Sequence, residues 1–151
     1  MAKSKEAGGP GLRERALKLL ARREHSRAEL ARKLSPHGEV DEIAALLDQL
    51  EARKQLSDVR YAESLTHVRA GKYGSRRLAH ELREKGVGEG LIADAVAEAR
   101  AGDLAAARAA WAKKFGAAPT DANERARQYR FLLGRGFPAE VVRRVVGGED
   151  D

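Results

Sequence analysis

Basic side chains cluster within residues 69–85, and this cluster is the strongest chemical signal in the sequence. Six arginines and lysines there stand against two glutamates, and Tyr73 lies among them. Guanidinium and ammonium groups bind phosphates and carboxylates, and a tyrosine ring in their midst could stack on a base or on a side chain of a partner. A second basic group contains Arg127 and Arg130, which share a helical face, and Arg135. Both groups predict surfaces that bind anions.

The local context of Arg76 and Arg77 strengthens this interpretation. Ser75 directly precedes them, and we expect it to cap a helix whose first backbone N–H groups would also attract an anion. Leu78 and Leu82 mark the apolar side of the same helix, so the two arginines cannot both lie within that seam. At least one of them should therefore be solvated.

Other chemistry finds little support in the sequence. The segment 71–75 has glycine, lysine and serine before a helix, but a phosphate-binding loop needs Ser or Thr directly after the lysine and a strand in front, and Tyr73 follows Lys72. The four histidines are far apart, no nucleophile motif is present, and there is no cysteine. We therefore expect no catalytic residue, no metal site, no cofactor and no enzymatic activity.

The composition favours an extended helical protein with small local cores. Of 151 residues, 28 are alanine, whereas Leu, Ile, Val and Phe together supply 31. Alanine favours helix but buries little area. A net charge of +6 makes an anionic partner plausible. No apolar run approaches the roughly 20 residues of a membrane span, and no signal peptide is evident, so a cytoplasmic monomer without membrane contact is expected.

Tandem repetition organises the chain. Helical segments that precede Gly38, Gly86 and Gly136 resemble one another, and the glycines are spaced by 48 and 50 residues. The predicted fold is all-α: three tandem three-helix repeats, similar to helix-turn-helix units, in an elongated, curved array. The expected parts are a flexible N-terminal tail (1–10), repeat 1 (11–56), repeat 2 (57–102), repeat 3 (103–146) and an acidic C-terminal tail (147–151).

Several local features complete these expectations. Ser26 with Glu29 and Asp121 with Glu124 form the pattern of capping boxes, and Gly86 has the position of a left-handed helix stop. Gln128 falls where the alignment with Leu78 calls for an apolar residue, which leaves the register of repeat 3 open. Four aromatic residues of repeat 3 are expected in its core: Trp111, Phe115, Phe131 and Phe137.

Three blocks of this chain, taken together, resemble the bacterial RecX family. They are Leu56–Ser64, Gly74–Gly86 and Arg130–Phe137, and Arg13–Leu17 and Ser26–Leu30 fit the first repeat of that family. The resemblance covers about residues 11–146. It implies a non-enzymatic regulator of the RecA recombinase, acting in homologous recombination, DNA repair and the SOS response.

RecX proteins lie in the groove of the RecA filament on single-stranded DNA and bridge neighbouring protomers. The resemblance thus implies inhibition of filament growth, ATP hydrolysis, strand exchange and stimulated repressor cleavage. The basic clusters would meet acidic RecA surface or DNA phosphates. The candidate residues for binding RecA or DNA are Arg69, Lys72, Tyr73, Arg76, Arg77, Arg83, Lys85, Arg127, Arg130 and Arg135.

Two other classes of function stay open at this point. Each three-helix unit is similar to a helix-turn-helix module, so direct binding of single- or double-stranded DNA is the alternative, with Arg76 and Arg77 at the start of a recognition helix. A helical adaptor without affinity for DNA or RecA is the third. The sequence does not distinguish capping of filament ends from filament disassembly.

Overall fold

The computed structural model describes residues 11–148, and within them it contains nine α-helices and no strand. The helices are α1 (Leu12–Arg22), α2 (Arg27–Leu34), α3 (Val40–Ala52), α4 (Asp58–Arg69), α5 (Ser75–Glu84), α6 (Glu89–Arg100), α7 (Asp103–Lys114), α8 (Ala122–Gly134) and α9 (Ala139–Gly147). The tail predicted at 1–10 and residues 149–151 of the predicted acidic tail lie outside the described residues.

Three separate apolar clusters hold the helices together, one for each successive set of three. Leu30, Leu47 and Leu50 are central to the cluster of α1–α3. Leu82 and Ile92 fill the cluster of α4–α6. The cluster of α7–α9 is built around three fully buried side chains, Leu132, Phe137 and Val142. The predicted all-α fold of three three-helix units is confirmed.

The middle helices of successive repeats, α2, α5 and α8, meet end to end at two junctions. At the first junction, the Ser26 hydroxyl donates to the Lys85 carbonyl over 2.6 Å. At the second, the Gly74 N–H donates to the Arg135 carbonyl over 2.9 Å. Lys85 and Arg135 are equivalent in the repeat alignment. The two junctions therefore have the same geometry: the C-terminus of α5 lies against the N-terminus of α2, and the C-terminus of α8 lies against the N-terminus of α5.

A carboxylate of the following repeat reinforces each junction. Asp58, at the start of α4, accepts the Arg27 N–H over 2.8 Å. Asp103, at the start of α7, accepts both the N–H and the hydroxyl of Ser75, over 3.0 and 2.6 Å. Each aspartate thus satisfies backbone donors that the first turn of a helix leaves free.

The start of α5 differs from the expectation that Ser75 caps this helix. Gly74 is the N-cap of α5, and Ser75 is the first helical residue rather than the cap. The Arg76 N–H donates to the Gly136 carbonyl over 3.0 Å. The predicted attraction of an external anion by this first turn is therefore wrong as stated, because repeat 3 already occupies these donors.

Glycine is required where a middle helix ends against its neighbour. Gly86 has a φ of 77°, which confirms the predicted left-handed stop, and Gly136 has a φ of 91°. A Cβ on Gly136 would lie 2.4 Å from the Cβ of Arg77. Gly38 differs, since it is extended and follows the 3-10 turn Ser35–His37. Gly38 takes part in neither junction and packs beside Leu12 instead.

Gln128 keeps the register of repeat 3. Its side chain is buried, and the Trp111 indole N–H donates to its carbonyl oxygen over 2.8 Å. Its amide donates to the Ala117 carbonyl over 3.0 Å. The position equivalent to Leu78 is thus a core position that holds a polar residue with its hydrogen bonds made.

The capping boxes form in part. Ser26 and Asp121 each accept the backbone N–H three residues on, as predicted. The Glu29 side chain is engaged elsewhere, however. It is buried at the first junction, where the Arg23 guanidinium donates to it over 2.5 Å and the Lys33 and Lys85 ammonium groups lie 3.7 and 3.8 Å away.

Candidate anion-binding surface

The neighbouring residues Arg76 and Arg77 project to different surroundings. The Arg77 guanidinium lies over the Tyr73 ring, 4.1 Å from its centroid. Arg76 lines a groove between α5 and α6 instead. Both side chains are exposed, in agreement with the prediction that at least one would be solvated. They therefore belong to two surfaces rather than to one basic patch.

Tyr73 is half-buried among arginines from two repeats. Arg135, from repeat 3, lies 5.2 Å from the ring centroid, and its guanidinium donates to the Lys72 carbonyl over 3.1 Å. Arg69 lies 5.9 Å from the same ring. The predicted role of Tyr73 was stacking on a base or on a partner. Its ring faces arginines of its own chain, so such stacking would require an arginine to move.

The contacts continue along repeat 3. Arg135 also lies 5.2 Å from the Phe131 ring, and Lys114 lies 5.4 Å from that ring. Phe131 packs edge to face on Phe115 with ring centroids 5.5 Å apart, and Arg127 lies 5.1 Å from the Phe115 ring. We call this continuous set the cation–aromatic ridge: Arg69, Tyr73, Arg77, Lys114, Phe115, Arg127, Phe131 and Arg135.

The ridge carries more positive charge than its acidic neighbours neutralise. Arg69 donates twice to Glu81, over 2.7 and 2.8 Å, and this hydrogen bonding lowers the pKa of Glu81. Arg127 donates to Glu124 over 3.2 Å and lowers the pKa of that carboxyl. No ion pair with another described residue engages the other cations of the ridge, which are Arg77, Lys114 and Arg135.

Contact with the rings prepares these side chains for binding. An arginine that already rests on an aromatic ring has lost part of its rotamer freedom, so fixing it against a ligand costs less entropy. The planar guanidinium can then donate two parallel hydrogen bonds to a carboxylate or a phosphate. The ridge can therefore recognise either anion without a catalytic group.

The remaining candidate residues lie outside the ridge. Arg83 donates to Glu89 over 2.8 and 3.1 Å, and Lys85 is at the first junction near Glu29. Lys72 flanks the ridge beside Tyr73 and is exposed. Arg130 is exposed and forms no ion pair with any residue of the described range 11–148. The ten candidates thus do not form a single surface.

The four aromatic residues predicted for the core of repeat 3 include two residues of the ridge, Phe115 and Phe131. Phe137 is fully buried as predicted, and Trp111 and Phe131 pack half-buried against its cluster. Phe115 lies outside that cluster and contacts Phe131 at its edge. Lys114 is not among the ten candidate residues, although its position directly before Phe115 at the end of a helix is a signal that the sequence offers.

The part of the chain that the structure describes contains neither a cluster of metal-ligating side chains nor a membrane-spanning helix. Residues 11–148 bring together no group of three or more His, Asp or Glu side chains that could hold a metal ion. None of the helices in this range is long and apolar enough to cross a membrane.

Comparison with known proteins identifies each of the three helical units. Family models described as the first, second and third three-helix domains of RecX match residues 13–50, 57–96 and 101–146. The "Regulatory protein RecX" of Chromobacterium violaceum is 50% identical over 149 residues, which cover 96% of this chain and 95% of that protein. The protein of the same name from Ralstonia nicotianae is 49% identical over 140 residues, covering 92% and 88%.

A solved structure agrees in fold. The crystal structure of RecX from Lactobacillus salivarius superimposes with a TM-score of 0.73 and covers 92% of this chain and 94% of that one. At 20% sequence identity, this likeness concerns the fold alone.

Proposed function

The chain belongs to the RecX family of regulatory proteins, and from this premise we propose that it binds the RecA filament on single-stranded DNA and inhibits it. In this proposal it lies in the filament groove and bridges protomers. It thereby reduces filament growth, ATP hydrolysis, strand exchange and coprotease activity in recombination, repair and the SOS response. It acts in the cytoplasm and has no catalytic activity of its own.

The cation–aromatic ridge is the observation that carries this proposal beyond family membership. Its five cations exceed its two acidic partners, and it extends across the second junction from α4 to α8. A filament presents carboxylates of the protein and phosphates of the DNA in one groove, and the ridge can bind both classes of anion. The hydrogen bonds across the second junction connect repeats 2 and 3 and so support a fixed arrangement of their cations.

The ends of the repeat array support a monomer that bridges protomers. Each junction joins the start of one middle helix to the end of the next. The start of α8 is instead capped by its own Asp121, and the glycine after α2 packs on Leu12. These contacts within the terminal repeats support a monomer rather than an array that extends by self-association. One chain would then contact several RecA protomers along its length.

The α5 N-terminus argues against the alternative, a recognition helix that enters duplex DNA. In helix-turn-helix proteins the first residues of that helix contact base edges. Here Gly136 and Asp103 accept the backbone donors of the first turn of α5, so repeat 3 covers its start. Reading of bases by Arg76 and Arg77 together would require repeats 2 and 3 to separate.

Inhibition of RecA in a purified system tests the proposal. The DNA-dependent ATPase of RecA should fall at well below one copy of this protein per RecA protomer, because one array bridges several subunits. The protein alone should neither hydrolyse ATP nor cut DNA. Unchanged RecA activity at equimolar protein would refute the proposed function, and intrinsic ATPase or nuclease activity would refute its non-enzymatic character.

A further inference from the structure

A second surface lies on α5, α6 and α9, apart from the ridge. Its first part is a trough of about 480 Å³ between α5 and α6, lined by Arg76, Ala79, Ala93, Val96 and Arg100 among others. Its second part, of about 410 Å³, lies between the end of α6 and the start of α9. Arg100 lines both parts, so they adjoin, and we call the whole surface the α6 groove.

Three arginines at the α6 groove have no ionic partner within residues 11–148. They are Arg76, Arg100 and Arg143, one from each of the three helices. Among the other charged groups, Arg83 pairs with Glu89, and Asp103 accepts two hydrogen bonds from Ser75 that satisfy its oxygens without cancelling its charge. Four arginines thus line the groove with three carboxylates, those of Glu89, Asp103 and Glu140. The groove therefore offers three cations to a ligand whose own charge is negative.

The interior of the groove is formed by small alkyl side chains. Ala79, Ala93 and Val96 line the first part, and Pro138 and Ala139 line the second. The one ring among the residues that line the two parts is the imidazole of His80, which lies 3.3 Å from Glu84, so a nucleobase would find no Phe, Tyr or Trp on which to stack. The carboxylates of Glu89 and Glu140 also face the two parts, and a continuous phosphodiester chain would be repelled there.

We propose that the α6 groove binds an acidic segment of a partner protein. Carboxylates of that segment pair with Arg76, Arg100 and Arg143, and small apolar side chains between them cover Ala79, Ala93 and Val96. Such a peptide can avoid Glu89 and Glu140 by placing neutral residues there, which a polynucleotide cannot do.

The dimensions favour a short extended segment. Glu89 and Arg100 are eleven residues apart on α6, which corresponds to about 16 Å along the helix axis. An extended chain advances by about 3.3 Å per residue, so about five residues span this distance. A probe of eight residues covers the trough and reaches the α9 part. The inference concerns a surface other than the ridge and does not depend on the action on RecA.

The test is an NMR titration of the ¹⁵N-labelled full chain with an eight-residue peptide that alternates glutamate and alanine. Ala93→Trp fills the trough without a change of charge, and Ala97→Trp is its control, an exposed position on the same helix outside the groove. Arg100→Glu reverses the charge of the arginine that lines both parts of the groove. Arg53→Glu is the charge-matched control in repeat 1. An eight-nucleotide oligothymidylate is titrated in parallel.

We expect saturable amide shifts at Ala79, Ala93 and Val96, with affinity reduced about ten-fold or more by Arg100→Glu and by Ala93→Trp. Both controls should bind the peptide as the parent does. If Ala93→Trp fails to fold, Arg100→Glu and Arg143→Glu carry the test. The proposal is wrong if the peptide causes no localised shifts or if the groove variants bind the peptide as the parent does. It is also wrong if Ala93→Trp abolishes binding of the oligonucleotide but leaves binding of the peptide unchanged.

The outcome is separable from that for RecA. Substitutions on the ridge test the inhibition of RecA, and the peptide titration is performed without RecA. A failure of one experiment therefore leaves the other readout intact.

Discussion

Replacing Glu29 by glutamine should weaken the first junction in a manner that depends on pH. Glu29 is 3% exposed, and Arg23, Lys33 and Lys85 surround its carboxylate. Burial alone would raise the pKa of this group. The hydrogen bond from Arg23, together with the positive charges of His25, Arg23 and Lys85, outweighs burial and lowers the pKa of Glu29 from 4.5 to about 2.

The magnitude follows from that difference in pKa. One pKa unit corresponds to about 1.4 kcal/mol, so the ionised Glu29 contributes about 3 kcal/mol to folding at neutral pH. The pKa is lower in the folded state than in the unfolded state. The contribution is therefore complete above about pH 4.5 and is lost as the pH falls towards 2.

Chemical denaturation of the parent and of Glu29→Gln, measured between pH 7 and pH 2.5, provides the assay. The variant should be less stable by about 2–3 kcal/mol at pH 7, and the gap should narrow steadily below about pH 4.5. Glu63→Gln is the control, since Glu63 is exposed and forms no ion pair with the described residues. A Glu29→Gln cost that equals the control, or a gap that does not change with pH, would refute this account of the junction.

Three further predictions concern the fold. Gly136→Ala should lose about 1–3 kcal/mol in denaturation, because φ is 91° and the new Cβ would meet Arg77; Gly134→Ala, with open space around it, should not destabilise the protein. Gln128→Leu should cost about 1–3 kcal/mol although the equivalent residue of repeat 2 is leucine, because the Trp111 indole loses its acceptor; a neutral result would contradict this. Small-angle scattering should give an elongated monomer, and a compact sphere or a dimer would contradict that.

The fold was largely predictable because its signals are local. Apolar stripes, the caps Ser26 and Asp121 and the left-handed Gly86 depend on neighbours within one or two helical turns. Ser75 was misread as a cap because its partner, Asp103, lies 28 residues away. Gln128 could not be assigned to the core from the sequence, since its burial depends on accepting the hydrogen bond that the Trp111 indole N–H donates.

The site was predictable only in its parts. The Arg77–Tyr73 contact joins residues one turn apart, and the sequence placed both in one cluster. Arg135 reaches the same ring from repeat 3, 62 residues later, and no local pattern reveals that approach. The separation of Arg76 from Arg77 also needed the packing of α6 against α5.

The claim that the ridge contacts the RecA filament is tested most directly by reversing an exposed cation of the ridge together with one that flanks it. Lys114 belongs to the ridge, and its described contact is with the Phe131 ring. Lys72 is exposed and flanks the ridge beside Tyr73, and the test variant combines Lys114→Glu with Lys72→Glu. Lys18→Glu with Arg53→Glu is the charge-matched control, at exposed positions of repeat 1. Both double variants should melt within a few degrees of the parent.

The measurement is the concentration that half-inhibits the DNA-dependent ATPase of RecA, determined over a salt series. The ridge variant should require about ten-fold or more protein than the parent at moderate salt and show a weaker salt dependence, while the control stays close to the parent. Equal potency and equal salt dependence of the folded ridge variant and its parent would contradict the account.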